Sequence, residues 1–146
     1  DLMFFVSFGK EVYTHNMIKN ALKHKTVVIP KIINKEIEPS LIIDFDNLIE
    51  GKHGILEPVE LMKIAYKNIN IVIVPGIVFG RNGHRIGYGH GYYDSFLKKN
   101  RAAAKIGLAF DFQIVEDISH ETHDMPLDFI LTEKEVIDCK HGKAED

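Results

Sequence analysis

Cysteine is almost absent from this 146-residue chain, which holds only Cys139. A single thiol excludes an intramolecular disulfide and any metal cage built from cysteines. It suits a reducing compartment, in which the residue stays inert. Long apolar runs are missing too. None approaches the ~20 residues of a membrane span, and no basic segment leads into a cleavage site. The formal charge is −3, and the sequence pI of about 6.2 leaves no overall footprint for nucleic acid. These absences predict a cytoplasmic protein, monomer or small homo-oligomer, with neither nucleic acid nor membrane as partner.

One absence is local. From Leu61 to Tyr93 there is no Asp or Glu, whereas Lys63, Lys67, Arg81 and Arg85 are present, with His84 and His90 beside them. Burial of an apolar strand accounts for the lack of acids over Ile71–Phe79. It does not account for the polar loop that follows. A local positive field there suits a small anionic ligand.

The rest of the chain has the length and apolar content (45%) of one domain with a real core. "LMFFVSF" (Leu2–Phe8) reads as a buried strand, and Thr14 as the N-cap of a helix reaching about Lys23. "TVVIP" (Thr26–Pro30) and "LIIDF" read as strands. Gly54 and Pro58 make a loop of "GKHGILEP", and "VELMKIAYK" suggests one or two helical turns. "INIVIVP" is the clearest strand. Helical spacing of Tyr92, Tyr93, Phe96 and Leu97 predicts a helix from about Gly91 to Ala103, followed by the strand "KIGLAF". "LDFILTEKEVI" predicts a last strand and a short terminal element, and residues 139–146 a polar tail. Alternating strands and helices with continuous apolar strands predict an α/β domain, residues 1–138, whose mainly parallel sheet is flanked by helices.

The loop after "INIVIVP" carries Gly80, Gly83, Gly87, Gly89 and Gly91, more than a turn needs. Ligands of open α/β sheets bind beyond the carboxyl ends of strands, and this loop runs from such an end to a helix start, where unpaired N–H groups favour anions. Glycines at 87, 89 and 91 let the backbone approach a ligand. Arg85 offers a bidentate fork for phosphate or carboxylate, and Tyr88, Tyr92 and Tyr93 offer flat faces for a heteroaromatic ring. Neither the P-loop nor the Rossmann glycine order is present. Asp94 in the first helical turn has two readings, a partner for the helix dipole or a Mg²⁺ ligand beside a bound phosphate.

Taken whole, "VPGIVFGRNGHRIGYGHGYYDSFL" resembles the signature of the 5-formyltetrahydrofolate cyclo-ligase (5,10-methenyltetrahydrofolate synthetase) family, with Ile86 in place of a leucine. "SFGKEVYT", "GILEP" and "HDMPLDFILTEKEVI" are similar to other family segments in the same order, so the resemblance runs from about Leu2 to Ile137. It implies a fold similar to the CoA-transferase and sugar-phosphate isomerase (NagB/RpiA-like) proteins. The implied reaction uses ATP and Mg²⁺ to convert 5-formyltetrahydrofolate to 5,10-methenyltetrahydrofolate, releasing ADP and phosphate. In it the formyl oxygen attacks the γ-phosphate, and a neighbouring amine then closes the ring as phosphate leaves.

The resemblance assigns ATP to Arg85, Ile86, Gly87, Tyr88, Gly89, His90, Gly91, Tyr92 and Tyr93, with Arg85, Tyr93 and Asp94 as catalytic residues. It assigns the folate to Val6, Glu11, Tyr88, Gly89, His90, Gly91 and Tyr92, and Mg²⁺ to Asp94 and Asp124. Bland roles stand beside these: Glu11 as a solvated turn carboxylate, Asp124 as a loop cap, and His90 as a loop histidine. His120 and His123 near Asp124 allow a histidine-rich metal site, although hard Mg²⁺ prefers oxygen. Some family members carry Arg and Lys where this chain has Tyr88 and His90. The family's N-terminal helix, whose Lys and Arg reach the ATP phosphates, has no counterpart in this sequence, which implies either a trimmed sequence or a shortened homologue and, for the 146 residues as they stand, binding with weakened turnover. A binding homologue without turnover and a paralogue for another pterin or a thiamine-related compound are the alternative readings.

Overall fold

The computed structural model describes residues 1–119 and 125–139. In chain order its elements are β1 (Leu2–Met3), α1 (His15–Ala21), β2 (Val27–Ile33), β3 (Glu36–Ile42), β4 (Ile49–Glu50), β5 (Leu56–Glu57) and β6 (Ile71–Val74). There follow β7 (Val78–Gly80), β8 (Arg85–Ile86), α2 (Tyr92–Lys99), β9 (Ala104–Leu108), β10 (Ile114–Val115), β11 (Phe129–Leu131) and β12 (Val136–Asp138). Seven strands form the main sheet in the order β12-β11-β9-β6-β1-β2-β3. The inner five are parallel, and β3 and β12 close the two edges antiparallel. Among the described residues the fold is therefore mixed α/β, with a mainly parallel central sheet and two α-helices.

Two apolar layers explain why the inner strands are continuous hydrophobic runs. Alternate residues of a strand face opposite sides, so a sheet covered on both faces needs apolar residues at every position. Val72 and Val74 of β6 pack in one layer with Phe96 and Leu97 of α2, while Ile71 and Ile73 pack in the other with Ile18 of α1. Cys139, at the head of the expected polar tail, is buried in the first layer, and its amide donates to the Asp128 carbonyl. Among the described residues, no helix is long and apolar enough to cross a membrane.

Several elements depart from the sequence expectation, each for a local reason. The first strand ladders only through Met3; beyond the Phe4 amide, which donates to Val28, the chain peels away. Thr14 ties that segment down. Its hydroxyl donates to the Phe5 carbonyl at 2.8 Å and accepts from the Ser7 amide at 2.9 Å, so it makes no side-chain cap for α1. "VELMKIAYK" yields one 3-10 turn, Tyr66–Asn68, because Met62 pairs with the edge strand β3 instead. Helix α2 ends at Lys99 rather than Ala103, since the Ala104 amide is already bonded to Asn70 at the start of β9. The glycine-rich stretch is not one loop: β7 and β8 form a hairpin within it, and β10 adds to β7 as a small second sheet.

Candidate active site

Where β1 and β6 run out, the sheet opens into a cavity of about 730 Å³, the position at which parallel sheets bind ligands. Val6 and Glu11, from the segment that peels off β1, line it together with Arg85, Ile86, Gly87, Tyr88, Gly89, His90, Gly91, Tyr92, Tyr93 and Asp94. Asp124 lies outside the described residues, as do His120 and His123.

Arg85 is held from several directions. Its guanidinium donates to the Pro75 carbonyl at 3.2 Å, pairs with Asp94 at 3.6 Å and lies 5.8 Å from the Tyr93 ring centroid. Only 8% of its side chain is exposed, against 47% for Asp94. An arginine fixed in this way is pre-organised for an oxyanion. Gly87 makes the fit possible, because a Cβ there would stand 2.9 Å from the Arg85 Nη1. Gly91, at φ +70°, caps α2 in the left-handed region that disfavours side chains.

Glu11 is the second polar centre. Its Oε1 accepts from the Phe8 amide at 2.8 Å, and its Oε2 from the Tyr88 hydroxyl at 3.0 Å. Burial raises the Glu11 pKa above the ordinary carboxylate value, while these two hydrogen bonds pull it back down. Burial, reinforced by the Glu11 charge, pushes the Tyr88 phenol up to about 12, so Tyr88 remains a donor at neutral pH. Burial also raises Tyr93, with Glu11 adding to the shift and Arg85 opposing it. Cation and carboxylate thus act on one buried phenol from opposite signs.

The model of the 5-formyltetrahydrofolate cyclo-ligase family matches residues 1–133. The chain belongs to that family. It is 33% identical to the probable 5-formyltetrahydrofolate cyclo-ligase of Schizosaccharomyces pombe, over 88% of this chain and 72% of that protein. Identity to the probable cyclo-ligase of Caenorhabditis elegans is 31%, over 93% and 74% respectively. The NMR structure of Aquifex aeolicus 5,10-methenyltetrahydrofolate synthetase superposes with a TM-score of 0.85 at 31% identity, covering 96% of this chain and 72% of that one. A Mycoplasma pneumoniae 5,10-methenyltetrahydrofolate synthetase shares the fold, with a TM-score of 0.67 at 22% identity over 94% of this chain and 73% of that one.

The cyclo-ligase cavity also has walls that sequence reasoning did not single out. Phe5, Phe8, Ile32 and Pro75 give it apolar faces, and the β4–β5 hairpin contributes Lys52, His53 and Glu57. Glu57 is the acid of "GILEP"; an acid inside an otherwise apolar stretch was the available signal. Among the described residues no cluster of three or more His, Cys, Asp or Glu side chains forms a metal cage. Asp94 stands at a helix start beside the glycine backbone, with 47% of its side chain exposed. That is a suitable donor for Mg²⁺, which takes one or two protein carboxylates and completes its shell with phosphate oxygens and water.

Proposed function

We propose that the protein converts 5-formyltetrahydrofolate to 5,10-methenyltetrahydrofolate at the expense of ATP, releasing ADP and phosphate. The observation that carries this reading is that one cavity holds two kinds of recognition at once. Glu11 presents an oriented carboxylate to N–H groups of a pterin, and Arg85 with the backbone of Gly87–Gly91 presents donors to phosphates. Tyr88, Tyr92 and Val6 lie beside both, as contacts for the ring system. The fold reading extends to kinship with the CoA-transferase and sugar-phosphate isomerase-like (NagB/RpiA-like) proteins.

In this reading the formyl oxygen attacks the γ-phosphorus of ATP, and the bond from that phosphorus to the ADP oxygen breaks. The activated formyl carbon is then attacked by the neighbouring amine, which loses its proton as the ring closes and phosphate departs with the former formyl oxygen. Such chemistry asks for positioning and charge neutralisation rather than a protein nucleophile. Arg85 neutralises the moving phosphoryl group, and Tyr93, protonated at neutral pH, packs beneath the guanidinium. Asp94 would hold Mg²⁺, with Asp124 as a second ligand; the ion would neutralise phosphate charge.

The test is formation of the methenyl chromophore from 5-formyltetrahydrofolate with ATP and Mg²⁺. Chromophore formed equally well without nucleotide would overturn the reading. Binding of both ligands without turnover would assign a binding role, and turnover of another formylated pterin in preference would assign a different substrate.

A further inference from the structure

The β4–β5 hairpin places an exposed cation, Lys52, in the lining of the cavity. Its turn, residues 51–55, is closed by the Gly51 amide donating to Ile55 at 2.8 Å, and three contacts fix where the turn sits. At its base, the Glu57 side chain covers Gly51 so closely that a Cβ there would stand 2.2 Å from the Glu57 Cδ. Glu57 is itself anchored to β2 by Lys31 at 3.3 Å. At its far end, Gly54 packs on the ring of Phe8, whose amide holds Glu11. Between them His53 adopts left-handed backbone (φ 59°) and stacks on His90 at 4.5 Å, which in turn stacks on Tyr92 at 5.0 Å. A non-glycine residue held at positive φ is a conformation that surrounding contacts must impose.

Lys52, between these fixed points, is exposed yet lines the cavity, and it pairs with no carboxylate among the described residues. A folate is a rod, with its pterin at one end and carboxylates at the other. With the pterin at Glu11, the carboxylate end must leave through the mouth. The turn that carries Lys52 abuts the Phe8–Glu11 segment, whereas Arg85 is tied to Pro75 and Asp94. Resting on the function proposed above, we infer that Lys52 is the subsite for the carboxylate tail of the folate, and that His53, through its stack on His90, is the residue that positions it.

The chemistry recognised is an oxyanion, so the experiment must separate the tail from the nucleotide phosphates. Dissociation constants are measured by titration calorimetry for 5-formyltetrahydrofolate, for the tailless 5-formyltetrahydropterin, and for ATP. Lys52→Ala should weaken the folate roughly 3- to 10-fold, as expected for loss of one partly screened ion pair, and leave the other two ligands unchanged. Lys52→Arg should restore the folate. His53→Ala should reproduce much of the loss, and His53→Phe, which keeps a stacking ring, should recover it. An unchanged folate constant in Lys52→Ala overturns the proposal, as does a loss confined to ATP, which would make the anion a phosphate. Failure of the wild-type chain to bind either formylated pterin would instead defeat the underlying functional reading.

Discussion

The Tyr88 hydroxyl donates to Glu11 Oε2 at 3.0 Å across 77 positions of sequence, joining the glycine-rich segment to the loop that follows β1. One hydrogen bond thereby couples the two halves of the site. Because it favours the ionised carboxylate, it works against the burial that raises the Glu11 pKa. Tyr88→Phe should therefore move the acid limb of folate binding to higher pH. Binding measured as a function of pH checks this; an unmoved acid limb would show that the contact does not tune Glu11.

Glu11→Gln should weaken folate binding while sparing ATP, since an amide accepts and donates in place of a pure acceptor. It should also stabilise the fold at neutral pH. A carboxyl whose pKa is raised on folding binds its proton more tightly in the folded state. Its contribution is thus favourable at low pH and is lost as pH rises from the unfolded value through the folded one. Thermal melts should show the variant ahead of wild type at neutral pH, with the gain disappearing in acid. Equal loss of both ligands would point to misfolding instead.

In the proposed reaction, Arg85→Ala removes the charge-assisted donor for the phosphates. The expected loss is ~2–4 kcal/mol, roughly 30- to 1000-fold in nucleotide-dependent rate. Unaltered ATP kinetics would reduce Arg85 to a structural partner of Asp94 and Pro75.

Gly87→Ala probes the same group from the backbone side. The added Cβ would stand 2.9 Å from the Arg85 Nη1, so the guanidinium must give up part of its hold on Pro75 and Asp94, and stability should fall by about 1 kcal/mol. Nucleotide use should also fall about tenfold as the guanidinium is displaced. A variant that loses stability and keeps its ATP constant would contradict this.

The glycine-rich segment was legible because its chemistry is local: the glycines, Arg85 and the Tyr92-Tyr93-Asp94 run are contiguous. The parallel sheet was legible for a similar reason, since strands such as Ile71–Val74 are apolar at every position. Phe5 and Phe8 were hidden inside a run that reads as one strand. Only the pairing ladder, which stops at Met3, shows that they leave the sheet to form a wall. Lys52 and His53 look like an ordinary turn in "GKHG". What brings them to the cavity is the packing of Glu57 on Gly51 and of His53 on His90, tertiary contacts that no local pattern encodes. The end of α2 was missed because Ala102–Ala104 favours helix, and the sheet claims Ala104 instead.

The central claim, that this cavity transfers a phosphoryl group to the formyl oxygen, is tested most directly by the fate of that oxygen. The chain is supplied with 5-formyltetrahydrofolate carrying a heavy oxygen isotope in the formyl group, together with ATP and Mg²⁺, and the released phosphate is analysed by mass spectrometry. The account predicts one labelled oxygen in each phosphate, matched one to one by ADP and by the methenyl product. Unlabelled phosphate accompanying methenyl product would mean that ring closure proceeds without phosphorylating the formyl oxygen, and would contradict it.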